Sequence, residues 1–132
     1  MAELILVVDD SLDNLQLTQI LLECEGFEVR LAEDAEQALE VLERCRPRLI
    51  LVDIQLPGMD GLTLTRRVRK TPSCQNVVIV ALSAYAMAAE KENARVAGCD
   101  GYITKPINTR TFVSAIRQYL AEPLTERGAP AA

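Results

Sequence analysis

Leu49-Ile-Leu-Val-Asp-Ile-Gln-Leu-Pro-Gly-Met-Asp-Gly61 decides the fold. Its first four residues are an uninterrupted apolar run, the pattern of a strand buried on both faces. Pro57-Gly58 is a turn signal, and Asp60-Gly61 can open a helix with the acid as N-cap. At the end of the apolar run stands one acid, Asp53. A carboxylate is costly inside a sheet. It is useful where it projects from the sheet's end into a cleft.

Upstream, residues 3–8 hold a second continuous apolar run, Leu4–Val8 behind Glu3, followed by Asp9-Asp10-Ser11. A helix is expected from there to about Cys24, with Leu12, Leu15, Ile20, Leu21 and Leu22 near one broad face and Gly26 just past its end. Residues 27–32 alternate apolar and polar, as an edge strand does. Asp34 with Gln37 forms a capping-box pattern. Behind it Ala35, Ala38, Leu39, Leu42 and Cys45 recur at helical spacing until Pro47.

Downstream, a helix is expected over Gly61 to about Lys70, with Leu62 and Val68 inward and Pro72-Ser73 breaking it. The basic cluster Arg66-Arg67-Val-Arg69-Lys70 reads as its solvated, dipole-favoured end. Val77–Leu82 is a third doubly buried run, ending at Ser83. About Met87–Ala97 is an alanine-rich helix whose only large apolar residues are Met87 and Val96, which predicts weak anchoring and mobility. It stops at Gly98. Asp100–Thr104 reads as the other edge strand, then come Lys105-Pro106 and Asn108 as the N-cap of a last helix carrying Phe112, Val113, Ile116 and Leu120.

The order is strand–helix five times over. It implies an α/β fold: a five-stranded parallel sheet between two helical layers with right-handed crossovers. Three doubly buried strands and two edge-like ones fit the spatial order 2-1-3-4-5, the flavodoxin-like (βα)5 three-layer sandwich. One domain over 1–122 with a frayed tail over 123–132 is the expected organisation.

Composition narrows the function classes. With 132 residues, 49% of them hydrophobic and 25% charged, the chain reads as one globular domain. The formal charge of −5 and the lack of a long basic tract argue against nucleic acid as a partner. No apolar stretch reaches the length of a membrane span, and no signal peptide is evident, so the expected setting is cytoplasmic. Four cysteines without a C-x-x-C pair, and no histidine at all, argue against a Cys/His zinc site and read as reduced apolar side chains. The absence of histidine also removes Ser-His-Asp and Cys-His catalysis.

Ligands of such sheets bind at the carboxyl ends of the strands, near the switch between strands 1 and 3. This topology delivers Asp9 and Asp10, Asp53, Ser83 and Lys105 to that one rim. Carboxylates brought within about 4 Å repel by roughly 1–4 kcal/mol per pair, so a cation or a proton is required. Hard oxygen donors without histidine select Mg²⁺, with Mn²⁺ as the alternative. Asp10 and Asp53 are placed to reach such an ion directly, Asp9 through water, and a backbone carbonyl just past Asp53 adds a ligand. A metal-anchored carboxylate suits in-line phosphoryl transfer, with the Lys105 ammonium, the Ser83 hydroxyl and nearby N–H groups meeting the charge on the phosphoryl oxygens.

On Val7-Val-Asp-Asp10, Leu51–Gly61, Ala81-Leu-Ser-Ala84 and Gly98–Ile107 the chain resembles the receiver domains of two-component response regulators, from about residue 4 to 121. It is similar to the chemotaxis receiver, to stand-alone DivK-like receivers and to receivers detached from hybrid kinases. The resemblance implies a signalling protein rather than an enzyme acting on other substrates. On this resemblance it would catalyse only its own phosphoryl transfer and dephosphorylation. Asp53 would accept phosphate from a histidine kinase or histidine phosphotransfer protein. Asp9, Asp10, Asp53 and the Gln55 carbonyl would hold Mg²⁺. Lys105, before a cis peptide to Pro106, would contact the phosphoryl group with Ser83 and the Ala84 backbone. Tyr102 would be the aromatic switch residue, and Tyr85 would modulate phosphate lifetime. The face of helix 4, strand 5 and helix 5 would then change to regulate a downstream protein target, as a monomer or a phosphorylation-dependent dimer. The chain's end soon after the last helix leaves no room for an output domain on this reading.

Two other classes compete. A small-ester hydrolase of the haloacid-dehalogenase type also places an aspartate at a strand end, but Asp53-Ile-Gln-Leu-Pro lacks its second acid. A flavin site fits the fold, but no Ser/Thr/Gly-rich phosphate cradle follows the first strand.

Overall fold

All five expected strands form in the computed structural model, which describes residues 3–84 and 87–121. They are β1 (Leu4–Val8), β2 (Glu28–Ala32), β3 (Leu49–Asp53), β4 (Val78–Ser83) and β5 (Gly101–Thr104). Every pairing is parallel, and the spatial order is β2-β1-β3-β4-β5. Five helices connect and close the sheet: α1 (Leu12–Glu23), α2 (Ala35–Arg44), α3 (Gly61–Lys70), α4 (Ala88–Ala97) and α5 (Phe112–Ala121). A short 3-10 turn, Pro72–Cys74, follows α3.

Strand side chains alternate between two cores. Leu6, Val8, Ile50, Val52, Ile79 and Ala81 face α2, α3 and α4. Ile5, Val7, Leu49, Leu51, Val80 and Leu82 face α1 and α5 through Leu15, Leu22, Phe112 and Ile116. β1, β3 and β4 are thus covered on both sides, which is why their sequences are continuously apolar. The caps are local chemistry. Ser11, Asp34 and Asp60 each accept a backbone N–H three residues on.

Several expectations need correction. Leu12 and Ile20 do not face the core; each is 59% exposed, and Thr18 is buried in their stead. Its hydroxyl donates to the Asn14 and Leu15 carbonyls, so the polar atom is satisfied within the helix. In α3 the inward residues are Leu64, Thr65 and Val68, while Leu62 is only half-buried. The weak anchoring expected of α4 does hold: its two large apolar residues, Met87 and Val96, are 63% and 69% exposed. Its buried residues are Ala94 and Ala97, both in its C-terminal half. The last helix begins at Phe112 rather than directly after Asn108; the Asn108 side chain accepts from Arg110 N–H while its carbonyl accepts from Phe112 N–H. Tyr85 and the tail from residue 122 lie outside the described residues.

Arg69 also departs from the reading of its cluster as a solvated helix end. Its guanidinium donates to the Gly98, Gln75 and Val77 carbonyls and to Asp100 Oδ2 at 2.7 Å. Asp100 Oδ2 in turn accepts the Ile79 N–H. One planar side chain therefore ties the end of α3 to the start of β4, the end of α4 and the start of β5. Arg69→Ala is expected to cost about 3 kcal/mol, because it takes the cation from a largely buried carboxylate and the donor from three carbonyls. For a domain of this size that is a fall of about 10 °C in Tm. A thermal melt checks this, and a shift of only about 1 °C would contradict the clamp. No helix among the described residues is long and apolar enough to cross a membrane.

Candidate functional site

The carboxyl ends of β1, β3, β4 and β5 meet at one rim. The ladder carries each polar residue there by backbone bonds. Asp9 N–H donates to the Ala32 carbonyl, Ile54 N–H to Leu82, and Lys105 N–H to Ser83. The run that opened the sequence reading is closed by a tight approach. A Cβ on Gly61 would run into the Asp53 carbonyl, and Gly61 N–H donates to the Ile54 carbonyl at 2.9 Å. Only glycine lets the start of α3 sit against the end of β3 this closely.

Asp53 is buried. Its Oδ1 accepts Gln55 N–H at 2.9 Å, and its Oδ2 accepts the Lys105 ammonium at 2.7 Å. Asp9 is fully buried, its Oδ1 held by Ser11 N–H at 2.9 Å. Lys105 Nζ lies 3.4 Å from Asp9 Oδ2 without the alignment of a hydrogen bond. That buried oxygen has no hydrogen-bond partner among the described residues. Asp10 is exposed, yet one oxygen from each of Asp9, Asp10 and Asp53 lies within 4.8 Å of the others. Lys105 reaches over this cluster from the end of β5, and the Lys105–Pro106 peptide is cis.

Electrostatics follow from this geometry. Burial, joined by the Asp53 charge, pushes the Asp9 carboxyl above its ordinary range against the pull of Ser11 N–H and Lys105. Burial also works against the Lys105 charge, but the hydrogen bond and charge of Asp53, with the charge of Asp9, outweigh it and lift the ammonium above its usual value. Three carboxylates against one ammonium leave a formal −2, which a divalent ion cancels. All the donors are hard oxygens, and an orphaned buried carboxylate oxygen faces the cluster. The residues present therefore fit Mg²⁺.

Ser83 is fully buried at the end of β4, and its hydroxyl donates to Glu90 Oε1 in the first turn of α4. Tyr102, half-buried on β5, donates its hydroxyl to the same oxygen at 2.7 Å. The two hydroxyls hold the Glu90 carboxyl below its ordinary range. Burial and the Glu90 hydrogen bond raise the Tyr102 phenol. Lys91 stands over the Tyr102 ring, 5.8 Å from its centroid. Gln55 and Ala84 are exposed beside the rim. The structure thus brings Asp9, Asp10, Asp53 and Lys105 into one cluster and links Ser83 to Tyr102 through Glu90. Sequence reasoning missed Glu90, since an acid in a helix's first turn is ordinarily only a dipole complement. Its place seven residues past Ser83, where the chain has turned back over the strand end, was the available signal.

Comparison with known proteins points the same way. A family profile described as the response regulator receiver domain matches residues 5–117. The polar-differentiation response regulator DivK of Brucella anthropi is 34% identical over 122 residues, covering 92% of this chain and 99% of that protein. Among solved structures, a chemotaxis response regulator of Vibrio cholerae superposes with TM-score 0.87 at 26% identity, over 90% of this chain and 99% of that one. The receiver domain of a sensor histidine kinase from Pseudomonas aeruginosa, described with a magnesium ion coordinated in its active-site cleft, superposes with TM-score 0.84 at 31% identity, over 92% and 100%.

Proposed function

Since the chain belongs to the response regulator receiver family, we propose that it is a phosphorylation-controlled switch whose phosphoacceptor is Asp53. The observation that carries the reading is the placement of Asp53. It is a buried carboxylate within 4.8 Å of two further acids and bonded to Lys105. The donor is a phosphohistidine on a sensor kinase or phosphotransfer protein. The P–N bond of the donor breaks as a P–O bond to Asp53 forms, and the freed imidazole picks up a proton. Hydrolysis later returns the carboxylate and inorganic phosphate.

Asp9, Asp10, Asp53 and the Gln55 carbonyl would hold Mg²⁺, which supplies charge neutralisation for the incoming phosphoryl oxygens. The chain's own residues do the rest. Gln55 N–H and Lys105 fix the Asp53 carboxylate, so its attacking oxygen is oriented before the donor arrives. Lys105 then follows the charge outward onto the phosphoryl group, and the Ser83 hydroxyl and the Ala84 N–H just past β4 are the further donors. Ser83 turning inward frees space for Tyr102, and the α4–β5–α5 face changes for a downstream protein target. Receivers are signalling proteins, and the reduced-cysteine composition supports a cytoplasmic setting.

Beryllofluoride, a phosphoryl mimic, tests the switch without a donor. With Mg²⁺ it should shift amide resonances around Asp53, Ser83, Lys105 and along α4 and β5, and without Mg²⁺ it should shift almost none. Shifts independent of Mg²⁺, or confined to surfaces away from the rim, would contradict the reading.

A further inference from the structure

The role of α4 is decided by how it is attached. Its C-terminal half is anchored by buried Ala94 and Ala97, and Gly98 ends it with φ +117°. Its N-terminal half buries no residue, and its N-cap position, Met87, makes no side-chain cap bond. Among the described residues, this half is hydrogen-bonded to the sheet through Glu90. Its Oε1 accepts Ser83 from β4 and Tyr102 from β5, with Lys91 beside it over the Tyr102 ring.

We propose that Glu90 is a positioning residue for the switch. It is the resting-state acceptor of the Ser83 hydroxyl, in competition with a phosphoryl group on Asp53. The inference rests on Asp53 being the phosphoacceptor. Its core is proton counting. A serine hydroxyl has one O–H to donate, so it serves the Glu90 carboxylate or a phosphoryl oxygen, not both. Both acceptors are anionic, and hydrogen bonds to them are the stronger kind. When Ser83 turns toward Asp53, Glu90 loses one of its two donors, and the tie between the start of α4 and the sheet weakens. By linkage, anything that holds Glu90 on Ser83 weakens phosphoryl binding by the same factor. Glu90 therefore sets the threshold of switching and names the bond through which the site reaches α4.

The test is a double-mutant cycle read as beryllofluoride affinity at saturating Mg²⁺. Glu90→Ala sits in the exposed first turn of α4, where alanine is a good helix former, so the variant folds. It is expected to bind beryllofluoride up to about tenfold more tightly than the wild type, the scale of one charged hydrogen bond. In a Ser83→Ala background, which has no hydroxyl to release, the same substitution should change affinity less than about twofold. A gain that persists undiminished in Ser83→Ala would assign the effect to Glu90's charge alone and overturn the proposal. No gain in either background would also overturn it, while leaving the phosphoacceptor reading standing. A wild type that binds no beryllofluoride would overturn both.

Discussion

Replacing Lys105 with alanine is expected to leave Mg²⁺ binding intact or tightened while abolishing most of the response to phosphorylation. The ammonium is bonded to Asp53 Oδ2 at 2.7 Å and stands 3.4 Å from Asp9 Oδ2. In the absence of a divalent ion it offsets the repulsion of two buried carboxylates. Its removal leaves that repulsion uncompensated, so the variant should be less stable than the wild type without Mg²⁺ and should gain more stability when the ion is added. At about 100 times Kd, binding adds about 2.7 kcal/mol to any fold that binds only when native. The variant's Tm in Mg²⁺ should therefore approach that of the wild type. With beryllofluoride and Mg²⁺ it should show little change at Ser83 or Tyr102, because the cation that draws the phosphoryl oxygens toward β5 is gone. Wild-type shifts at those two residues would contradict the role given to Lys105, whatever the metal data.

This outcome separates two jobs at one rim. The acids hold charge of one sign close together, which makes a cation necessary. In the proposed switch, Lys105, Ser83 and Glu90 decide what happens to the rest of the chain when that charge changes. A receiver built this way needs little motion at Asp53 itself. It needs a hydroxyl with two competing acceptors and a helix whose near end, among the described residues, meets the sheet through the polar contacts of Glu90 and Lys91 rather than through buried side chains.

Much of this was legible in the residues. The apolar runs ending in Asp53, Ser83 and the Asp9-Asp10 pair located the strands and their carboxyl ends, because a doubly covered parallel strand has no choice but to be continuously apolar. Caps at Asp34 and Asp60 were legible for the same local reason. The misread positions share a cause: a polar side chain doing work that the pattern assigns to apolar ones. Thr18 hides in the core by bonding its own helix, so Leu12 and Ile20 were credited with its face. Arg69 satisfies four partners on segments 6 to 31 residues away, and nothing in a run of basic residues marks which one turns inward. Glu90 was missed because its partners are the side chains of two other elements, and its spacing from Ser83 was the one local hint.

The central claim is that Asp53 accepts the phosphoryl group, and intact mass measures it most directly. Incubated with Mg²⁺ and acetyl phosphate, the wild-type chain should gain the mass of one phosphoryl group. The gain should vanish when Mg²⁺ is chelated, and it should be absent in Asp53→Asn, whose neutral amide cannot attack phosphorus. An unchanged wild-type mass under these conditions, or an Asp53→Asn protein that is phosphorylated as fully as the wild type, would contradict the account.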